Sequence, residues 1–209
     1  MSGQTWSPLD VSPVIPVVVI QDVAAAVPLA RALVAGGVPI VEVTLRTPQA
    51  LEAVRAILAE VPDIMVGVGS VLTPVQLDQA LAVGVHFLVS PGASPSMLAL
   101  LAATPVPVLP GVATVSEVLT ALEHGLTELK FFPAEAAGGP PFLAAVAGPV
   151  PQVRFCPTGG VTMANLRDYL ALPNVGAVGG TWLAPRTLVE SADWTAITAL
   201  ASAAVAAAL

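Results

Sequence analysis

Residues 40–46 read Ile40-Val41-Glu42-Val43-Thr44-Leu45-Arg46, and Thr47-Pro48 leads from them into a helix-forming segment that runs to Glu60. Side chains alternate across a strand, so Glu42, Thr44 and Arg46 share one face while Val41, Val43 and Leu45 share the other. Thr-Pro suits a helix start, because the hydroxyl can cap and proline lacks only an N–H that the first turn leaves unpaired. This strand-then-helix unit recurs along the chain. Strand-like runs occupy residues 14–20, 40–45, 64–68, 86–90, 106–109, 128–132, 153–157 and 175–178, beginning at steps of 20 to 26 residues. Between them lie further helix starts at Asp22, Thr73-Pro74, Ser94-Pro95, Thr162, and Thr114 with Glu117 three residues on, a capping-box pattern. Gly36-Gly37, Gly84 and Gly125 stand where helices should stop.

Eight such units in 209 residues imply a parallel sheet with right-handed crossovers. A closed (β/α)8 TIM barrel, compact for its class, is the economical arrangement. An open doubly wound sheet is the alternative that periodicity alone leaves standing. No GxGxxG follows the first strand and no composition shift marks a sheet edge, which speaks against it. Residues 1–209 read as a single domain, with the Ala-rich tail 196–208 as a last helix packed on the outside.

Composition narrows the function. Hydrophobic residues make up 56% of the chain and charged residues 10%, so a large core is available and disorder is excluded. Residues 79–116 hold no Asp, Glu, Lys or Arg, yet Pro91, Pro95, Pro105, Pro107 and Pro110 break them into pieces too short to span a bilayer. Seven basic against 14 acidic residues, with no basic cluster, argue against nucleic-acid binding. One cysteine and two histidines exclude an internal disulfide and a closed zinc site. The first ten residues lack a signal-peptide pattern, and the expected location is the cytoplasm.

If the fold is a barrel, function lies where the strands end. Glu42 and Arg46 point inward or at the mouth, and a charge in apolar surroundings needs a partner or a ligand. They either form a structural ion pair with each other or serve a substrate. Lys130, the sole lysine, sits between Leu129 and Phe131. It either snorkels to the rim or acts as a nucleophile. An ordinary lysine is free base in only about one molecule in two thousand at pH 7, a fraction that desolvation and a nearby cation raise. Arg46 is the candidate cation, and Glu42 would oppose it. Two glycine pairs, Thr158-Gly159-Gly160 and Gly179-Gly180-Thr181, follow the last two strand-like runs, where barrels hold phosphate on backbone N–H groups. Gly67-Val68-Gly69-Ser70 and Ser90-Pro91-Gly92 offer either room for a small carboxylate or ordinary turns. His86, His124, Cys156, Tyr169 and Trp194 read as structural, and Trp182 as lining the site or a subunit contact.

Together, Glu42-Val43-Thr44-Leu45-Arg46-Thr47, Lys130-Phe131-Phe132-Pro133-Ala134-Glu135 and Pro157-Thr158-Gly159-Gly160 resemble the class I 2-keto-3-deoxy-6-phosphogluconate (KDPG) aldolases, which often also cleave 2-keto-4-hydroxyglutarate (KHG). The resemblance runs from about residue 14 to residue 185 and includes Gly69-Ser70, Ser90-Pro91-Gly92 and Gly179-Gly180-Thr181-Trp182. It implies a homotrimeric barrel that releases pyruvate and glyceraldehyde 3-phosphate from KDPG, or pyruvate and glyoxylate from KHG, with no metal or other cofactor. By the same resemblance Lys130 forms the Schiff base, Glu42 is the general acid/base and Arg46 contacts the substrate carboxylate region. Ser70 and Pro91 line the pyruvyl pocket and Phe132 also binds substrate, while Thr158, Gly159, Gly160, Gly179, Gly180 and Thr181 form the phosphate end. Relatives usually carry Thr at the position of Ser70 and Ser at that of Thr181, so each departure keeps a hydroxyl. The galactonate-specific sister group typically has Asn where Arg46 stands and lacks the Phe-Phe-Pro-Ala-Glu run, which aligns this chain with the gluconate group. Two other readings remain: an aldolase for a different, non-phosphorylated 2-keto acid, and a catalytically silent barrel serving as an assembly subunit. The second predicts degraded catalytic positions, whereas Glu42, Arg46 and Lys130 are all present.

Overall fold

A computed structural model describes residues 6–208. Strands and helices alternate in the order β1 (Val14–Val18), α1 (Ala26–Ala35), β2 (Ile40–Thr44), α2 (Ala50–Glu60), β3 (Met65–Gly69), α3 (Pro74–Ala82), β4 (Phe87–Val89) and α4 (Pro95–Ala102). Then come β5 (Val108–Leu109), β6 (Gly111–Val112), α5 (Val115–Glu123), β7 (Glu128–Phe131), α6 (Gly139–Ala147), β8 (Arg154–Pro157), α7 (Leu166–Leu170), β9 (Val178–Gly180), α8 (Arg186–Glu190) and α9 (Trp194–Ala208). All strand pairings are parallel, in a six-stranded sheet ordered β5-β4-β3-β2-β1-β9 and a three-stranded sheet ordered β6-β7-β8. The result is a curled parallel sheet walled by helices. No helix among the described residues is long and apolar enough to cross a membrane.

Local chemistry explains most boundaries. Thr73 and Ser94 accept the N–H groups of Gln76 and Met97, and Thr114 with Glu117 forms the reciprocal capping box. Asp22 caps a 3-10 turn, Val23–Ala25, which precedes α1, so the helix expected over 23–35 begins as a tighter coil. The run expected over 106–109 starts at Val108 and breaks at Pro110, whose carbonyl accepts from Lys130 N–H at 2.9 Å but which has no N–H to return. The run expected over 175–178 is displaced: β9 carries the pair Gly179-Gly180 as extended backbone, in register with Ile15 and Pro16. Glycines expected to follow the strand are strand residues, and neighbouring side chains fill the spaces of their missing Cβ atoms. The helix expected from Met163 begins three residues later, since Asn165 Oδ1 accepts the Thr162 N–H at 2.7 Å and holds a turn there.

The residues between the inward ones on β2, β7 and β8, namely Val41, Val43, Leu129, Phe131 and Phe155, are buried among the core apolar residues. Phe131 stacks on Phe142 of α6 at 4.8 Å and meets Phe155 edge-on at 6.5 Å. The Ala-rich α9 lies on the end of α1, where a Cβ on Gly36 would fall 2.5 Å from Ala201 Cβ. Thr198 donates to the Ala32 carbonyl at 3.0 Å in the same contact. At the N-terminal ends of β7 and β8, Arg154 pairs with Asp10 at 2.5 Å and Glu128 at 3.1 Å. Trp6 packs edge-on against Phe87 at 6.5 Å. His86 Nδ1 accepts the Val66 N–H at 2.9 Å, so this histidine extends a strand edge. The charges at this end are thus committed to one another, and the opposite ends of the strands are where unspent polar groups gather.

Candidate active site

Lys130 is the third residue of β7, in register with Gly111 on one side and Cys156 on the other. Glu42 is the third residue of β2. The alternation that sends Leu129, Phe131, Val41 and Val43 to the helices sends these two side chains inward. Lys130 Nζ lies 3.1 Å from Glu42 Oε1 and 3.3 Å from Oε2, and the residues are 4% and 3% exposed. The Phe132 ring centroid is 5.5 Å from the same nitrogen. Among the described residues neither charged group has another hydrogen-bond partner, so donor and acceptor capacity is left for a ligand.

Space for the pair comes from Gly69, at the end of β3. A Cβ there would fall 2.0 Å from Glu42 Oε1 and 2.6 Å from its Cδ. Sequence reading took Gly69 only as a small rim residue; the signal was its two-residue step from Gly67, which puts both glycines on one inward face. Burial pushes the Cys156 thiol up to about 12, with the Lys130 ammonium opposing and the Glu42 carboxylate adding to the rise. The thiol is inert core beside the pair.

Arg46 makes no ion pair with Glu42 and lies at the rim, at the mouth of the strands. It is exposed, two residues beyond the end of β2, where its N–H turns back to the Thr44 carbonyl at 2.8 Å. Its Nε donates to Ser70 Oγ at 3.1 Å. Of the two alternatives for these charges, the Glu42–Arg46 ion pair does not form; Glu42 pairs with Lys130, whose ionic neighbour is a carboxylate, not a guanidinium. Ser70 has φ of 60°, in the left-handed region.

The other predicted residues fall into adjoining contacts. Thr158 is buried after β8, and a Cβ on Gly179 would sit 2.3 Å from its Oγ1. Gly159 and Gly160 have φ of 98° and 85°, and a Cβ on Gly159 would lie 3.2 Å from the Phe132 ring. Gly180 is covered by the Trp182 ring, with Cζ3 1.5 Å from where its Cβ would be. Pro91 is half-buried over Gly111, and Thr181 is exposed. No side chain of Arg or Lys contacts Thr158, Gly159, Gly160 or Thr181 by hydrogen bond among the described residues. Any anion held there would rest on backbone N–H and hydroxyl groups. No group of three or more His, Cys, Asp or Glu among the described residues is placed to hold a metal ion.

The family model described as KDPG and KHG aldolase matches residues 7–200. The chain belongs to that family. Among members of the KDPG and KHG aldolase family, it is 52% identical to the 2-dehydro-3-deoxy-phosphogluconate aldolase of Dickeya dadantii (strain 3937) over 198 residues, 95% of this chain and 93% of the relative. It is 51% identical to the KHG/KDPG aldolase of Escherichia coli (strain K12) over 197 residues, 94% and 92% of the two chains. The crystal structure of the KDPG aldolase of Legionella pneumophila, with pyruvate captured as a covalent carbinolamine intermediate, superposes with a TM-score of 0.92. That protein is 46% identical, and the match covers 94% of this chain and 96% of the other. Family members are carbon–carbon lyases, and the buried amine–carboxylate contact lies on a fold shared with a protein that holds pyruvate covalently.

Proposed function

We propose that this chain is a class I aldolase that cleaves KDPG to pyruvate and glyceraldehyde 3-phosphate, and also cleaves KHG to pyruvate and glyoxylate. The observation that carries this reading is the contact of 3.1 Å between Lys130 Nζ and the Glu42 carboxylate, both buried and beside the Phe132 ring. The curled sheet is read as a (β/α)8 barrel. Support comes from the junction of β5 and β6 at Pro110 and from the bridge of Thr158 to Gly179, which link the two sheets on either side. A homotrimer is part of the same reading, and exposed Leu72, Val75 and Leu119 on or beside α3 and α5 supply apolar surface for it.

The chemistry follows from the pair. One proton passes from Nζ to Glu42, and the free amine adds to the C2 ketone to give a carbinolamine. Glu42 returns that proton to the departing hydroxyl, water leaves, and a protonated imine remains. The carboxylate then takes the proton of the C4 hydroxyl. The C3–C4 bond breaks, its electrons enter the imine as an enamine, and the aldehyde departs. Glu42 protonates C3, and water hydrolyses the imine to pyruvate and the amine. Acid/base help of this kind is worth roughly a hundred- to ten-thousand-fold. In this scheme Arg46 and Ser70 hold the substrate carboxylate region, Pro91 and Phe132 line the pyruvyl group, and Thr158, Gly159, Gly160, Gly179, Gly180 and Thr181 receive the phosphate.

Incubation with pyruvate and borohydride is expected to leave one reduced pyruvyl group on Lys130, located by peptide mass spectrometry. Lys130→Ala is expected to form no adduct and to release no pyruvate from either substrate in a coupled assay. Retained turnover in that variant would overturn the proposal.

A further inference from the structure

Beyond the pair and its pocket, one buried hydroxyl meets a carboxylate on the loop that follows the catalytic strand. Tyr169, on α7, is among the largest fully buried side chains, and its OH donates to Glu135 Oε1. Glu135 lies four residues after the end of β7, in the loop that carries Phe132. Burial raises the Tyr169 phenol above its ordinary range, and the hydrogen bond to Glu135 and its charge add to the rise, so the OH stays a donor at working pH.

Glu135 also touches the glycine loop after β8. Its N–H donates to the Gly159 carbonyl at 3.0 Å, and Ala134 N–H donates to the Thr158 carbonyl at 2.8 Å. The two loops therefore run side by side past the ends of their strands. Their side chains interlock across this seam. A Cβ on Gly160 would fall 2.4 Å from Glu135 Cγ, and a Cβ on Gly159 would fall 3.2 Å from the Phe132 ring. The start of α7 holds the far side of the glycine loop, because Asn165 Nδ2 donates to the Gly160 carbonyl at 3.1 Å. A single short helix thus grips both loops, one through Asn165 and the other through Tyr169.

We infer that Tyr169 and Glu135 are a positioning pair that fixes the spacing between the Phe132 loop and the Gly159-Gly160 loop, and so sets preference for a phosphorylated 2-keto acid. Neither touches the reacting atoms. The inference rests on the aldolase reading above and adds to it a device for choosing between substrates that share the pyruvyl end. A substrate with a terminal phosphate needs both loops at the right separation. One that stops at a carboxylate needs chiefly the pyruvyl end.

The test compares the parent protein with Tyr169→Phe, which keeps the ring and removes the OH, and with Glu135→Gln, which keeps an acceptor oxygen. The parent is first checked for pyruvate trapping on Lys130 and for turnover of both substrates; failure there would sink the aldolase reading itself. With that in hand, Tyr169→Phe is expected to raise KM for KDPG about tenfold, change KM for KHG less than twofold, and leave pyruvate trapping unchanged. Glu135→Gln should stay within about threefold of the parent on both. Equal losses on both substrates would mean a merely structural role, and no loss on either would mean no role; each result overturns the inference. If Tyr169→Phe fails to fold, Glu135→Ala makes the same comparison with the same expected split.

Discussion

Replacing Gly69 by alanine would put one methyl group where the Glu42 carboxylate lies. The backbone at Gly69 is not in the left-handed region, so alanine itself fits and the effect is confined to the space above it. The new Cβ would stand 2.0 Å from Glu42 Oε1, and restoring an ordinary contact of roughly 3.5 Å requires a shift of about 1.5 Å. From a starting separation of 3.1 Å, a shift of that size is enough to break the hydrogen bond to Lys130 Nζ. A misplacement of about 1 Å can cost a hundredfold in rate, so kcat is expected to fall by about that factor. Lys130 itself is untouched, but Glu42 also serves imine formation, so borohydride should trap pyruvate on Lys130 more slowly than in the parent. Steady-state pyruvate release gives kcat, mass spectrometry gives the adduct, and circular dichroism confirms the fold. A folded Gly69→Ala protein with kcat within threefold of the parent would refute the assignment of Glu42 as the acid/base.

Burial holds His86 below its ordinary range, and its Nδ1 accepts the Val66 N–H only when unprotonated. The unfolded chain therefore binds that proton first, and stability should be full above about pH 6.5 and fall as pH drops below it. Denaturant midpoints from pH 7 to pH 5 should show this slope, and His86→Asn should flatten it. Cys156, buried with its thiol pushed up to about 12, should resist a thiol reagent in the native protein and react once in denaturant; native reaction at a free-thiol rate would contradict the placement. Thr114→Ala removes one half of the α5 capping box and should cost about 1 kcal/mol, a fall of roughly 2–4 °C in Tm by calorimetry, with no change in kcat.

Much of this architecture is written in local patterns. The two-residue period at 40–46 turns Glu42 inward, and the flanking Leu129 and Phe131 do the same for Lys130. Thr73-Pro74, Ser94-Pro95 and the Thr114–Glu117 box mark helix starts because capping is decided within four residues, whereas Thr47 donates to the Ile20 carbonyl and α2 begins at Ala50 with no side-chain cap. What escaped was set by distant neighbours. Gly179-Gly180 reads as lying beyond its strand, yet Thr158 and Trp182 fill the spaces their side chains would occupy and the backbone stays extended. Periodicity alone leaves Glu42 free to pair with Arg46, four residues away; it meets Lys130, 88 residues away, because the strand ends before Arg46 and the turn carries that side chain to the rim. Gly69 revealed its purpose only once Glu42 was seen above it. Tyr169 read as packing because a buried phenol announces nothing about where its hydroxyl points.

The sole lysine of this chain is 4% exposed. Every side-chain amine that a crosslinker, an acylating agent or a lysine-specific protease could reach is therefore shielded while the protein stays folded. Conjugation to a bead or dye through lysine would report on unfolding, or on entry through the mouth of the site, and never on the outer surface. A lysine-directed protease could sever the chain at one point only, so appearance of its two fragments would serve as a built-in gauge of global opening.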